Sequence, residues 1–301
     1  MIGLMINSFI VAVNVIDWLN GRVISSTDKI LTTLGISRIV FQISSFSYGF
    51  LTTFFKGYLN SSPIRYVVDV AEVFSTQFSF CLTTLLSIVF CLKVSNFHTN
   101  FLQQMKKFIL RRVVHFIIMS LLFSIFYASI QTWEDNFVTL MHTENNTTTG
   151  GSEGFTVNIA FLLIFVIGNT LPFLVYCFAA TFLVVSLYHH IYRMKANGNI
   201  LIQMDTYYTA IKFMALSFLY YIVHSVSTQG IVYYYYFHKL DSLLLYVSVD
   251  CIPILQSIYL IWATAKLRNR TNWILQRMAK CLCNRKGPQA KSCDWLETIA
   301  Q

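Results

Sequence analysis

Long runs of hydrophobic residues alternate with short polar segments along the whole chain. A helix needs ~20 apolar residues to cross a bilayer, so this alternation predicts an all-α membrane protein built as a seven-helix bundle. Six runs reach that length, and the first run is shorter, since Met1–Ile16 makes about 24 Å of helix. The predicted spans are Met1–Trp18, Lys29–Phe50, Tyr66–Leu92, Val113–Trp133, Val157–Tyr188, Tyr207–Tyr236 and Leu243–Thr264.

The amino-acid composition favours a membrane bundle and excludes a large soluble domain. Of 301 residues, 55% are hydrophobic and only 12% are charged, whereas soluble domains carry about 25% charged residues. We therefore divide the chain into a seven-span domain, residues 1–264, and a cytosolic juxtamembrane helix with a tail, residues 265–301.

The formal net charge of +9 is carried by short Lys and Arg clusters between the apolar runs. Such clusters orient membrane spans, whereas nucleic acid needs a folded basic patch, so we expect no nucleic-acid partner. Eighteen cations fall in the first, third and fifth loops and the tail, and three fall in the other loops. This asymmetry predicts a cytosolic C-terminus and, with seven spans, an extracellular N-terminus in the plasma membrane.

The acidic segment Glu134–Glu153 lies on the predicted outer side and contains two overlapping glycosylation sequons. Either Asn145 or Asn146 can accept the glycan, because both are followed by the required Thr. None of the seven cysteines falls in an outer segment, so no structural disulfide is expected. Cys281 and Cys283 follow a basic juxtamembrane stretch and are either palmitoylated or free thiols.

Arg38 is a lone charge inside the second span, about 15 Å from the polar end of that helix. A charge at this depth must face the bundle interior, where a structural or switching role is favoured over ligand contact. The residues proposed as its partners are Asn7 and Asn14 in the first span and Asp250, Gln256 and Ser257 in the seventh.

Polar residues in the third span follow a helical spacing that places them on one face. Lipid would reject this face, so it should line the interior. Glu72 is the better candidate for a ligand pocket, where it would favour cationic or amine ligands; Asp69 can also lie at the wet rim. The stripe consists of Asp69, Glu72, Thr76, Ser79 and Thr83.

The sixth span carries Tyr220, Tyr221 and His224 deeper than an interfacial aromatic belt would place them. Pro172 and Pro253 remove backbone hydrogen bonds in the fifth and seventh spans, which allows kinks and a cavity.

Enzyme signatures such as GxSxG, HExxH and glycine-rich phosphate loops are absent, so we expect neither an enzyme nor a cofactor. The seven histidines are scattered apart from one adjacent pair, and no metal site is predicted. A solute transporter with a midplane site remains an alternative, although the two halves show no obvious repeat.

Short motifs in order along the chain resemble those of the bitter taste receptors, or type 2 taste receptors. NSFIVAVNVIDW resembles the family's first-helix signature, and SLYHHIYRM matches the SLxxHxxxM of its fifth helix. The vomeronasal type 1 receptors are a neighbouring family with which these motifs can be confused. The matching segments are Asn7–Trp18, Ile24–Ile39, Phe90–Phe97, Ser186–Met194, Thr209–Tyr221 and Ala265–Asn269.

The resemblance implies a seven-helix G-protein-coupled receptor that binds small bitter compounds in the outer half of the bundle. It implies coupling to a gustducin-like, inhibitory-type G protein. In this family the arginine matched by Arg38 links helices 1, 2 and 7, and the tyrosine matched by Tyr221 floors the pocket and acts as a switch. The chain departs from the family where Gln256-Ser257 replaces a His-Ser pair.

The expected site residues follow from the stripe, the sixth span and the resemblance together. Candidate ligand contacts are Asp69, Glu72, Thr76, Ser79, Tyr221, His224, Tyr246 and Asp250, and the candidate switch residues are Asn7, Arg38 and Ser257. Basic inner residues would meet the G protein or anionic lipid; they are Lys106, Lys107, Arg111, Arg112, Arg193 and Lys195. The sequence leaves both a homo-oligomer and a hetero-oligomer open.

Overall fold

The computed structural model describes residues 2–54, 63–94, 100–145, 170–182, 204–233 and 243–285, together with Gly168 and Val185. All the regular structure in these ranges is helical. The helices are α1 (Ile2–Leu19), α2 (Ser26–Phe54), α3 (Pro63–Val94), α4 (Asn100–Arg111), α5 (Val113–Asn145), α6 (Thr170–Phe182), α7 (Met204–Tyr233), α8 (Leu243–Ala263) and α9 (Ala265–Arg285).

The end of α1 is set by a glycine in a left-handed conformation. Gly21 has φ 72°, which costs a glycine little because it has no Cβ. Its N–H donates to the Trp18 carbonyl at 3.0 Å, and the Arg22 N–H donates to the Asp17 carbonyl at 3.1 Å. This pair of bonds is a Schellman motif and satisfies carbonyls that the helix end would leave unpaired.

The start of α2 is set by a capping box that begins at Ser25, four residues after Gly21. The Asp28 N–H donates to the Ser25 hydroxyl at 3.2 Å, and the Ser25 N–H donates to an Asp28 carboxylate oxygen at 3.3 Å. Two donors of the first turn are thereby satisfied by side chains. The connection between α1 and α2 is short because both helix ends are capped within it.

Two segments that were expected to be loops are helical. The acidic segment that begins at Glu134 continues α5 as far as Asn145, because neither Gly nor Pro occurs between Val113 and Thr149 to end the helix. The third loop contains α4, whose Leu, Gln, Met, Lys and Arg residues favour helix.

The helices pack around α3, which contacts α2, α5 and α7, while α8 packs against both α7 and α1. Helix α1 approaches α2 closely at Gly35, where an added Cβ would lie 2.9 Å from Val11 Cγ2 and 3.4 Å from the Asn7 carbonyl. The described part of α6 bonds to α3, since Gln77 Nε2 donates to the Gly168 carbonyl at 2.8 Å.

The bundle exposes large apolar side chains, which suits lipid surroundings, and buries its polar side chains together with an apolar core. On α5, Met119 and Phe126 expose 64% and 65% of their surface, and Phe178 on α6 exposes 77%. In contrast, Arg38 and Gln256 are buried. Four described helices are long and apolar enough to cross a membrane and three shorter ones are apolar, and each overlaps one predicted span.

Candidate functional site

The guanidinium of Arg38 is buried between α2 and α8, with 1% of the residue exposed. Its Nη1 donates to Ser257 Oγ at 2.6 Å and to the Pro253 carbonyl at 3.4 Å, and its Nη2 donates to Gln256 Oε1. Three acceptors within one turn of α8 therefore hold the side chain. Of the partners proposed from the sequence, Ser257 and Gln256 bond to Arg38 directly. Asn7 is linked to Arg38 through Ser257.

Ser257 and Gln256 also form hydrogen bonds to two further helices, α1 and α7. Ser257 Oγ donates to Asn7 Oδ1 on α1 at 2.9 Å, and Gln256 Nε2 donates to Ser217 Oγ on α7 at 3.0 Å. Helices α1, α2, α7 and α8 are thus joined by one chain of hydrogen bonds through Arg38. The carboxamide of Gln256 can accept and donate at once, so both of its ends are used.

A narrow, partly enclosed cavity adjoins this network near the middle of the bundle. Its enclosed part has room for about one water molecule, and the roughly 250 Å³ of empty space that it contains includes open solvent at its mouth. Helices α2, α3, α7 and α8 all contribute to its wall. The lining residues are Arg38, Phe41, Thr76, Ser79, Tyr220, His224 and Pro253.

The α3 wall of the cavity is held against α2 by serine hydroxyls. The Ser37 hydroxyl lies 3.0 Å from that of Ser79 and donates to the Ser75 carbonyl at 2.9 Å. Ser37 and Ser79 are both buried, whereas Thr76 is half-buried. Two members of the predicted stripe therefore line the cavity.

An aromatic cluster forms the α7 wall. Tyr220 and His224 are one turn apart on the same face of α7, and both rings pack on Phe80 of α3, with centroid distances of 5.3 and 4.4 Å. All three residues are buried.

Tyr221 lies beside this wall and bridges α3 and α7. Its hydroxyl donates to the Phe80 carbonyl at 2.7 Å and is paired with the Thr84 hydroxyl. Its ring stacks on Phe80 at 4.8 Å and contacts Tyr176 of α6 at 5.0 Å. Tyr221 is therefore positioned between three helices, while its neighbour Tyr220 reaches the cavity.

Other predicted pocket residues lie apart from the cavity or outside the described side chains. Asp69 and Glu72 are half-buried on α3 and have interactions of their own, and the lining seen in the described part of the chain includes neither. Tyr246 and Asp250 are in α8, but their side chains lie outside the described residues.

Four of the basic residues predicted for the inner face are described, three of them on α4 and Arg112 between α4 and α5. Lys107, Arg111 and Arg112 are exposed and Lys106 is half-buried. The Arg112 guanidinium lies 5.2 Å from the centre of the exposed Phe108 ring. The remaining predicted basic positions, Arg193 and Lys195, fall outside the described residues, as does the sequon residue Asn146; Asn145 ends α5.

A second charged cluster joins α9 to the end of α1. Asp17 is buried and accepts from Lys266 Nζ at 3.0 Å, and from Arg270 and Arg22 at 3.4 Å each. Lys266 also donates to Asn14 Oδ1 at 2.8 Å. The sequence had offered Asn14 as a partner of Arg38, and the structure assigns it to Lys266 instead, because Asn14 lies two turns further along α1 than Asn7.

Phe41, Tyr220 and Pro253 line the cavity but were not among the predicted ligand contacts. Tyr220 was recoverable, since Ser217, Tyr220 and His224 share a helical face. Phe41 lies one turn beyond Arg38 but is apolar among many apolar neighbours, so no pattern singles it out.

Comparison with known proteins gives a consistent result. A family model described as "Taste receptor protein (TAS2R)" matches residues 1–279. Taste receptor type 2 member 4 of Gorilla gorilla gorilla is 29% identical over 75% of this chain and 76% of its own length. Taste receptor type 2 member 64 of Pan paniscus is 27% identical over 94% of this chain and 91% of its own.

A solved structure supports the fold independently of sequence. The crystal structure of squid rhodopsin superposes with a TM-score of 0.63, covering 100% of this chain and 87% of that chain at 14% identity. At that identity the likeness concerns architecture alone, which is the seven-helix bundle of G-protein-coupled receptors.

Proposed function

Because the chain belongs to the TAS2R taste receptor family, we propose that it is a bitter taste receptor that couples small bitter compounds to an inhibitory-type, gustducin-like G protein. One observation carries the proposal: a cavity inside a membrane bundle is walled by α2, α3, α7 and α8, and a single hydrogen-bond network joins three of these helices, α2, α7 and α8, to one another and to α1. A ligand in or above this cavity would contact three of the helices whose relative positions the network sets.

The proposed mechanism is a shift between two populations. An agonist entering from outside must bind a state with an open inner face better than the closed state, since equal affinity shifts nothing. Tyr221 is suited to report that change, because its hydroxyl bonds and ring contacts tie α7 to both α3 and α6. Movement of α7 relative to α3 would break the bond between its hydroxyl and the Phe80 carbonyl.

We assign the cations of α4 and of the turn between α4 and α5 to the inner face, where they would meet the G protein or anionic lipid headgroups. This places the N-terminus outside the cell and the C-terminus in the cytosol. The set is Lys106, Lys107, Arg111 and Arg112, with Arg193 and Lys195 proposed from sequence alone.

The test is a calcium-release assay in cells that express the chain with a promiscuous G protein, using a panel of bitter compounds. Receptor function predicts release that is lost without the G protein. Replacing the four cations of α4 and of the turn between α4 and α5 with glutamine should reduce release while the protein still reaches the cell surface. Uptake of a compound without any dependence on G protein would instead identify a transporter.

The proposed orientation has its own test through the sequons. The receptor should lose one glycan when both Asn145 and Asn146 are replaced with glutamine, which a mobility shift on enzymatic deglycosylation detects, and the two single replacements show which asparagine carries it. Asn269 is also followed by the sequon residues but lies on α9, on the proposed cytosolic side. A glycan at Asn269 in place of the outer sequons would invert the topology.

For the ligand, we propose contacts to Thr76, Ser79 and His224 in the cavity and to Glu72, one turn before Thr76 on the same face of α3. A carboxylate at Glu72 favours amine ligands. Replacing Glu72 with glutamine should therefore abolish responses to amine agonists and spare neutral ones; unchanged amine potency would remove Glu72 from the site.

A further inference from the structure

The cavity contains one cationic side chain and, among its lining residues, no acid. Arg38 is 1% exposed, and the partners that it has in the described part of the chain are a hydroxyl, a carboxamide and a backbone carbonyl. All three are neutral. A guanidinium buried without a compensating anion is costly, because the interior screens its charge poorly and offers no counter-charge.

The Arg38 side chain also keeps unused hydrogen-bonding capacity. Its Nε is buried and has no partner among the described atoms, although a buried donor is normally satisfied. The guanidinium offers five N–H donors in a planar fork, which matches the two oxygens of a carboxylate. Arg38 lines the cavity, so an acceptor in the cavity would lie beside the side chain that carries the unpaired Nε.

The neighbouring wall supplies a further donor for an anion. Thr76 brings a hydroxyl from α3, whereas the Ser79 proton is directed to Ser37, whose own proton goes to the Ser75 carbonyl. Phe41, Pro253 and the ring of Tyr220 line the rest of the space. The acids of α3, Glu72 and Asp69, lie one and two turns away from Thr76, respectively, and already have interactions. A compact anion would thus be the only opposite charge next to the guanidinium within the described part of the site.

We propose that this cavity is an anion site in which Arg38 holds a halide-sized ion or the carboxylate of a small acidic ligand. The proposal rests on the proposed receptor function for its physiological meaning, since an acidic agonist would act through the network that Arg38 anchors. The chemistry is the same for a free inorganic anion and for the acidic group of an agonist, and the experiment separates these sources.

The experiment measures thermal unfolding of the purified full chain in detergent, at an ionic strength held constant with a bulky sulfonate salt that the narrow cavity does not admit. Chloride, acetate and the neutral isostere acetamide are titrated separately. We expect chloride or acetate to raise the melting temperature in a saturable way and acetamide to have no effect. A shift with chloride alone would indicate a site for an inorganic ion, and a shift with acetate alone would indicate a site for a ligand carboxylate. If chloride and acetate compete, one site binds both.

Two variants tie the effect to the cavity. Thr76→Leu fills the space without removing Arg38 and should weaken anion binding roughly 10- to 100-fold, the loss expected for charge-assisted bonds. Thr181→Leu is the matched control, because Thr181 is exposed on α6 and its hydroxyl bonds only to the Cys177 carbonyl of its own helix. This control should bind anions like the parent chain.

Several outcomes would overturn the proposal. They are the absence of any shift with either anion, an equal shift with acetamide, or the same shift in Thr76→Leu as in the parent. A shift that appears only in Asp250→Asn would show that Asp250 supplies the missing negative charge. Because unfolding is measured without G protein, failure here leaves the receptor proposal standing, and failure of the calcium assay leaves the anion site standing.

Discussion

Ser257 is small, yet it receives one hydrogen bond and donates another at the point where three helices meet. It accepts from Arg38 at 2.6 Å and donates to Asn7 at 2.9 Å. A hydroxyl can fill both roles, whereas a methyl group can fill neither. The neutral acceptors around Arg38 matter for the same reason: they accept hydrogen bonds from the charge without neutralising it.

Replacing Ser257 with alanine should lower the free energy of unfolding by about 1–3 kcal/mol, because buried donors of Arg38 and an acceptor of Asn7 lose a partner. The measurement is the melting temperature of the purified protein. Ser129→Ala is the control, since the Ser129 hydroxyl is exposed and bonds only within α5. Equal melting temperatures for the two variants would contradict the proposed role of Ser257.

At the scale of elements, the α1–α2 connection shows how local chemistry ends one helix and begins the next. Gly21 closes α1 in a left-handed conformation, and Ser25 and Asp28 open α2 with reciprocal bonds. An added Cβ at Gly21 would meet nothing within 4 Å. Any cost of substitution there comes from the backbone rather than from crowding.

Gly21→Ala should therefore destabilise the protein by roughly 1–2 kcal/mol, the cost of placing an L-residue in the left-handed region. Gly21→Asn should cost less, because asparagine tolerates that region and also occurs at this position of helix ends. Chemical denaturation in mixed micelles can rank the three proteins. If alanine proved as stable as glycine, the left-handed conformation would not be needed in solution.

At the scale of the whole molecule, the sequence predicted the fold better than the site. Apolar runs of sufficient length do not depend on tertiary contacts, so each predicted span overlaps an observed apolar helix. The end of α5 was missed because polar residues such as Glu134 were taken to mark the membrane surface, whereas a helix continues into water until a residue stops it.

The site was harder to predict because it depends on which faces meet. Periodicity placed Thr76 and Ser79 on one face of α3, and the depth of the lone charge at Arg38 predicted that it faces the interior; all three residues lie at the cavity. It could not choose between Tyr220 and Tyr221, which are adjacent and both buried. Nor could it assign Asn14 to Lys266, because that bond joins residues 252 positions apart.

The charged cluster around Asp17 leads to a prediction for the molecule as a whole. Asp17→Asn removes the one carboxylate that Lys266, Arg270 and Arg22 share, so α9 should separate more readily from α1. Hydrogen exchange across residues 265–277 should become faster. The control is Arg22→Gln, because the Arg22 side chain is 65% exposed and such pairs contribute little.

If exchange in α9 were unchanged in Asp17→Asn, packing rather than charge would hold that helix. Equal acceleration in Arg22→Gln would indicate that the whole cluster acts as one unit.

The long sequence separation of the Arg38 bonds has a consequence for how the protein is made. Helices α1 and α2 can pair as soon as both have been synthesised, since a short capped turn joins them. The two side-chain acceptors of Arg38 are on α8, 218 and 219 residues further along the chain. Arg38 therefore has neither acceptor until α8 has been synthesised. Before α8 is in place, the Arg38 charge is exposed to lipid or water, and an unpaired charge within the membrane raises the free energy of the incomplete bundle. The last span thus supplies the hydrogen-bond acceptors that the second span needs. A chain that ended before α8 would keep an unsatisfied arginine, which distinguishes it from the full-length receptor.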